Sequence, residues 1–102
     1  EIQLPLGPNI VICKIDAIYE NRSADGIRYE IVDWKTGAVP TDEEIADKAM
    51  QLVLYRRALI AWGAGTIDAD NVTAAFYYVA KDKTIEFTVA ELNALEERLG
   101  IL

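Results

Sequence analysis

The chain has 102 residues, 52% of them apolar, and carries a net charge of −7 from 17 acidic and 10 basic residues. This composition excludes an intrinsically disordered chain, and one cysteine with no histidine excludes a disulfide framework and a zinc or iron–sulfur site built on those residues. The sequence has neither an apolar run long enough to cross a membrane nor a secretion signal, so we expect a cytoplasmic domain with no membrane partner.

The N-terminal third predicts a hairpin preceded by an edge strand. Residues 1–6 alternate weakly, and Pro5 suits a strand at the edge of a sheet. Residues 10–20 are almost continuously apolar, which predicts a strand covered on both faces. The turn signal Asp25-Gly26 leads into a second strong strand over residues 28–36, so the two strands are expected to pair.

A long helix is predicted next. Thr41 and Glu44 have the spacing of a capping box, and the helix is expected to run to about Trp62 and end at Gly63. The side chains of its buried stripe recur every three or four positions: Ile45, Ala49, Leu52, Val53, Arg56, Leu59 and Ile60.

The C-terminal third predicts two strands and a second helix. Residues 72–80 form a third strong strand, and residues 84–87 a short return strand. Thr88 and Glu91 make another capping box, before a helix with apolar positions at Leu92, Leu95 and Leu99. The order β-β-β-α-β-β-α predicts an α/β fold with a mixed sheet and the long helix packed on it.

Three charged side chains interrupt the apolar strands: Asp16, Asp33 and Lys35. Burying a charge is costly unless it is paired or binds a metal. With a turn at Asp25-Gly26, Asp16 faces Lys35 and Asp33 faces Ile18, which places the two aspartates on one face about 7–8 Å apart. Two carboxylates and an ammonium suit Mg²⁺, which prefers oxygen ligands and keeps several waters.

Simpler interpretations remain open for these residues. The aspartates would also be explained by ordinary ion pairs with Lys14 or Lys35 on an exposed sheet face. Gln51 and Tyr55 share a helix face by their spacing, and boundary residues commonly have this pattern.

The ordered set of motifs resembles the RecB-type nuclease domain of the PD-(D/E)XK superfamily, which is often fused to UvrD-like helicases. The segments that carry the resemblance are Cys-Lys-Ile-Asp at residues 13–16, Ile-Val-Asp-Trp-Lys-Thr-Gly at residues 31–37, and Gln-Leu-Val-Leu-Tyr at residues 51–55. The resemblance implies a restriction-endonuclease-like core and a Mg²⁺- or Mn²⁺-dependent deoxyribonuclease. It also implies DNA and the helicase domains of the same parent chain as partners.

The resemblance also implies roles for individual residues. Asp16 and Asp33 match the metal-binding aspartates, and the backbone carbonyl of Trp34 matches one that often completes the metal shell. Lys35 matches the catalytic lysine. Gln51 and Tyr55 match the helix motif that positions the substrate and the active site.

The sequence departs from the family pattern at several positions. Cys13 stands where glycine is usual, Ala17 and Tyr19 replace an arginine and a second aspartate, and Trp34 replaces tyrosine. Relatives have a helix before the first strand, which a chain beginning at Glu1 lacks, so residues 1–102 are expected to be one domain excised from a larger helicase-nuclease. The alternatives are a degenerate nuclease-like scaffold or DNA-contacting domain of a helicase, and an unrelated interaction domain.

Overall fold

The architecture is a mixed α/β fold in which a long helix packs on a four-stranded sheet. The computed structural model describes residues 1–100, and its elements in chain order are β1 (Ile2–Leu6), β2 (Asn9–Cys13), β3 (Ala17–Ser23), β4 (Gly26–Lys35), α1 (Asp42–Trp62), β5 (Val72–Tyr78), β6 (Lys83–Phe87) and α2 (Val89–Leu99). Short 3₁₀ turns occupy residues 69–71 and 79–81. The predicted fold class, including the long helix on a mixed sheet, is therefore confirmed.

The strands form two sheets. The larger has the order β3-β4-β5-β6, with β4 and β5 parallel and the other neighbours antiparallel, and β1 pairs with β2 in a separate hairpin. Parallel neighbours need a crossover connection, and here α1 supplies it between β4 and β5. This helix packs against β1, β2, β4, β5 and α2, so it joins both sheets into one core.

The predicted single strand over residues 10–20 is wrong, because the chain bends at residues 14–16 and the two halves pair differently. β2 continues the hairpin with β1, whereas β3 pairs with β4. The prediction that this stretch is covered on both faces is also wrong, since Ile10, Ile12 and Ile18 are 64%, 55% and 40% exposed. The bend allows one apolar stretch to serve two sheets.

The predicted turn at Asp25-Gly26 lies one residue too late. The two turn residues are Ala24 and Asp25, and Ser23 pairs with Gly26. The Ser23 hydroxyl accepts a hydrogen bond from the Asp25 N–H at 3.3 Å, and Gly26 takes the positive φ of +123°. A primed Asp-Gly turn would instead need positive φ at Asp25, and Asp25 does not adopt it.

The change of turn moves Asp16 relative to the second strand. The last pair of the β3–β4 ladder is Ala17 with Val32, so Asp16 lies beside Asp33 and not opposite Lys35, and Asp33 does not face Ile18. The predicted and the observed pairings of β3 with β4 differ by two residues along the strand. Because side chains alternate with a period of two, Asp33 and Lys35 still share a face, and Asp16 approaches them from the bend.

Both predicted capping boxes are present, with the Thr41 and Thr88 hydroxyls accepting from the Glu44 and Glu91 N–H groups. In the predicted stripe of α1, Ile45 and Ile60 are half-buried and the other members are buried: Ala49, Leu52, Val53, Arg56 and Leu59. On α2, Leu92 and Leu95 are buried, and the side chain of Leu99 lies outside the described residues. Within residues 1–100 the helices are too short or too polar to cross a bilayer.

Candidate active site

The site begins at the carboxyl end of β4, on the face that packs against α1. Ile31, Asp33 and Lys35 alternate along this strand, so their side chains point to the same side. Ile31 is fully buried and Asp33 is 5% exposed, whereas Lys35 is half-buried and lies 5.4 Å from the centre of the Phe76 ring. The strand therefore places one carboxylate at the edge of the core and one ammonium where water enters.

Asp33 and Lys35 form an ion pair that leaves a buried oxygen incompletely satisfied. The Lys35 Nζ lies 2.9 Å from Oδ2 of Asp33. Among the described residues this ion pair is the contact that holds the buried Oδ2, and no hydrogen bond from another group accompanies it. A divalent cation at Asp33 would therefore have to compete with the Lys35 ammonium for this oxygen.

Asp16 reaches the same place from the bend between β2 and β3. Its Oδ2 accepts a hydrogen bond of 2.9 Å from the Trp34 N–H, which ties the bend to β4 beside Asp33. Burial raises the pKa of Asp33, the Lys35 ammonium partly offsets this rise, and the adjacent Asp16 carboxylate adds to it. The structure therefore brings Asp16, Asp33 and Lys35 together.

The Trp34 backbone borders the two aspartates. Its N–H points to Asp16, and in an extended strand the N–H and C=O of one residue point toward the same neighbouring strand. The carbonyl of Trp34 is therefore directed to the side on which Asp16 lies. Its indole is on the opposite face of β4 from Asp33 and is 51% exposed.

Gln51 and Tyr55 connect α1 to the ion pair. The Gln51 Oε1 accepts from Lys35 Nζ at 3.2 Å, and its Nε2 donates to the Tyr55 hydroxyl oxygen at 2.9 Å. Burial raises the pKa of Tyr55, and the nearby acidic groups Asp33, Cys13 and Asp16 raise it further, so the phenol stays neutral. The five predicted side chains thus form one connected arrangement from Asp16 to Tyr55.

The donor set fits a hard divalent cation that keeps much of its water. Residues 1–100 hold no cluster of three or more acidic, histidine or cysteine side chains. Mg²⁺ does not need such a cluster, because it binds through one or two carboxylates and completes its octahedron with water and phosphate. Two adjacent carboxylates match this requirement: burial raises the pKa of Asp33, and the neighbouring Asp16 raises it further.

Tyr78 lies beside the site, although the sequence analysis places it only within the strand predicted over residues 72–80. It is the neighbour of Lys35 across the parallel β4–β5 pair and is 2% exposed. Within the described chain its hydroxyl has no hydrogen-bond partner. The register between two strands separated by a 21-residue helix places it there, and no local pattern in the sequence encodes that register.

The family model of the PD-(D/E)XK nuclease superfamily matches residues 3–100, almost the full length of the chain. A search of curated proteins and a search of solved structures gave no match.

Proposed function

The chain belongs to the PD-(D/E)XK nuclease superfamily, and we propose that it is a metal-dependent deoxyribonuclease domain of the RecB type. The observation that carries the proposal is the convergence of Asp16, Asp33 and Lys35 at the carboxyl end of β4. The substrate is DNA, and the reaction is hydrolysis of a phosphodiester. Water adds to phosphorus, the bond to one sugar oxygen breaks, and that oxygen takes up a proton.

Asp16 and Asp33 would hold Mg²⁺ or Mn²⁺, with the carbonyl of Trp34 as a further ligand. Such an ion lowers the pKa of a bound water and stabilises charge on phosphoryl oxygens. The two carboxylates differ in their exposure to solvent, since Asp33 is buried and Asp16 is exposed. Asp33 fixes the site within the fold, and Asp16 closes it from the solvent side.

Lys35 has the role of placing a positive charge beside the reacting phosphate and orienting the attacking water. The Gln51 amide holds the ammonium from the helix side at 3.2 Å, and Tyr55 in turn holds Gln51. A lysine tethered in this way loses little freedom when substrate binds. Gln51 and Tyr55 are therefore positioning residues for Lys35.

The net charge of −7 bears on how DNA reaches the site. Domains that bind nucleic acid alone usually carry a basic surface. We propose that helicase domains of the same parent chain deliver the DNA, as in a repair or recombination enzyme of the cytoplasm. The bound cation neutralises part of the local negative charge.

The test is a cleavage assay with Mg²⁺ on labelled single- and double-stranded DNA, comparing wild type with Lys35→Ala. We expect the variant to lose at least about a hundredfold in rate, the usual cost of removing one group that stabilises transition-state charge. Arg22→Ala is the control, because it also removes one positive charge but lies at the hairpin end of β3, away from Asp16. Equal rates for wild type and Lys35→Ala would contradict the proposal.

A second candidate function is a nuclease-like scaffold that contacts DNA without cleaving it. The departures at Ala17 and Tyr19, with the acidic charge, favour this candidate. Calorimetric titration with Mn²⁺ separates the two functions. The nuclease predicts heat that Asp33→Asn abolishes, and the scaffold predicts no heat in either protein.

A further inference from the structure

The buried hydroxyl of Tyr78 is a polar group beside the candidate active site that the proposed mechanism does not use. Tyr78 is the last residue of β5 and pairs with Lys35, the last residue of β4. Because β4 and β5 are parallel, both residues lie at the same edge of the sheet and on the side that faces α1. The tyrosine is 2% exposed, so its hydroxyl is withdrawn from bulk water.

A buried hydroxyl normally has a hydrogen-bond partner, and the one on Tyr78 has none among residues 1–100. The charged groups around it are few. Burial raises the pKa of Tyr78, Lys35 lowers it, and Asp33 and Glu44 raise it, so these three charges act on the phenol; Lys35 is also its neighbour across the β4–β5 pair. The Glu44 carboxylate is engaged by the N–H and hydroxyl of Thr41 in the helix cap, and this leaves Lys35 and Asp33.

The Lys35 ammonium has three N–H donors. One is donated to Gln51, and the ion pair with Asp33 occupies the side facing the carboxylate. A divalent cation held by Asp33 would repel the ammonium and compete for the same oxygen. The ammonium then needs another acceptor that is buried, close and uncharged.

We propose that the Tyr78 hydroxyl is this acceptor and positions Lys35 once a divalent cation is bound at Asp33. This inference rests on the proposed function. Gln51 and Tyr78 then hold the ammonium from the helix side and from the sheet side, and its third N–H faces the substrate phosphate. Tyr78 is a positioning residue, because it acts through Lys35 and does not touch the substrate.

The test is the variant Tyr78→Phe, which removes one oxygen and keeps the ring. We expect kcat for Mg²⁺-dependent DNA cleavage to fall at least about tenfold, which is about 1.4 kcal/mol in barrier height. The KM for DNA and the Mg²⁺ concentration at half-maximal rate are expected to stay unchanged. A purely structural tyrosine predicts the opposite pattern, since removing an unpartnered buried hydroxyl leaves the fold as stable or more stable and the rate unaltered.

Tyr77→Phe is the matched control. Tyr77 is the adjacent residue of β5 on the opposite face of the sheet, and its hydroxyl donates to Asp82 at 2.7 Å. Removing the hydroxyl oxygen of Tyr77 is expected to leave kcat unchanged. If wild type cleaves, Lys35→Ala does not, and Tyr78→Phe cleaves like wild type, the inference fails and the proposed function stands. If wild type does not cleave, the proposed function fails first.

A second measurement does not depend on cleavage. In ¹⁵N-labelled protein with Mg²⁺ and no DNA, the Lys35 ammonium protons are expected to be protected from exchange with water by their two acceptors. Tyr78→Phe is expected to broaden this signal, and Tyr77→Phe to leave it intact. An equally sharp Lys35 signal in wild type and Tyr78→Phe would overturn the inference whatever the activity.

Discussion

Asp33 shows how one residue of the candidate site affects the stability of the fold. Its carboxylate is 5% exposed, and burial together with the adjacent Asp16 raises its pKa, although Lys35 partly offsets the rise. The folded state therefore keeps the proton at pH values where the unfolded chain, with an aspartate pKa of about 3.9, has lost it. Stability falls as pH rises through the window from that value to the raised one, and the deficit persists above it.

We therefore predict that Asp33→Asn is more stable than wild type at pH 7 without divalent cations, because an ionised carboxylate no longer has to be buried. Mg²⁺ is expected to raise the melting temperature of wild type and not that of the variant. A ligand at a hundred times its Kd stabilises by about 2.7 kcal/mol. Thermal denaturation with Mg²⁺ or a chelator measures both effects.

Asp47→Asn is the control for this prediction, because Asp47 is an exposed carboxylate on α1. It is expected to melt like wild type and to respond to Mg²⁺ in the same way. An equal gain from Mg²⁺ in wild type and Asp33→Asn would show that the cation binds elsewhere.

At the scale of elements, a buried charge network holds α1 and α2 together. Arg56 is fully buried and donates to Asn93 at 2.7 Å and to Glu96 at 3.3 Å. Arg57 donates to the other oxygen of Glu96 at 3.3 Å. One carboxylate thus serves two guanidinium groups, and the position of α1 beneath the site depends on it.

We predict that Glu96→Gln lowers the free energy of unfolding by about 3–5 kcal/mol, because it leaves a buried arginine without its countercharge. Chemical denaturation measures the change. Glu97→Gln, which changes the exposed neighbour on α2, is expected to stay within about 0.5 kcal/mol of wild type. Similar midpoints for the two variants would refute the importance of the network.

The elements also show what a sequence can predict here. Both helices were predictable because Thr41 with Glu44 and Thr88 with Glu91 are local signals with local geometry. The bend at residues 14–16 was not, since apolar residues continue on both sides of it and periodicity cannot distinguish one strand from two. The turn was misplaced by one residue because Gly26 supplies its positive φ after the turn and not within it.

The candidate site was predictable where it depends on the alternation of side chains between the two faces of a strand. Asp33 and Lys35 share a face in either register, since side chains alternate along a strand, whereas Asp16 reaches them from the bend before β3. The hydrogen bond from the Trp34 N–H to Asp16 and the position of Tyr78 beside Lys35 were not predictable. Both depend on how separate segments align, and that alignment is decided by packing across the whole core.

At the scale of the whole molecule, the charge of −7 opposes contact with DNA. Few positive side chains are available to release counterions from phosphates, so affinity in the absence of divalent cations is expected to be low. Under the proposed function, a cation held at Asp16 and Asp33 would supply the positive charge that the surface lacks. The domain should therefore depend on the cation for binding as well as for the chemical step.

We predict that Ca²⁺, used as a cation that is not expected to support cleavage, strengthens binding of a labelled DNA by at least about tenfold, or about 1.4 kcal/mol. Fluorescence anisotropy with Ca²⁺ or a chelator measures this change. Asp33→Asn is expected to show no gain, and Asp47→Asn the full gain. Tight binding of DNA in chelator would contradict this account of the charge.

The hydrogen bond between Asp16 and Trp34 has a practical consequence. The acceptor is a side-chain oxygen on a segment outside the strand ladder, and it is bonded to a backbone N–H that no substitution at position 34 other than proline removes. An asparagine at position 16 would keep an oxygen for that bond while losing the negative charge. Crystallisation with uncleaved oligonucleotide is therefore best attempted with Asp16→Asn, whose loop should stay in its native place.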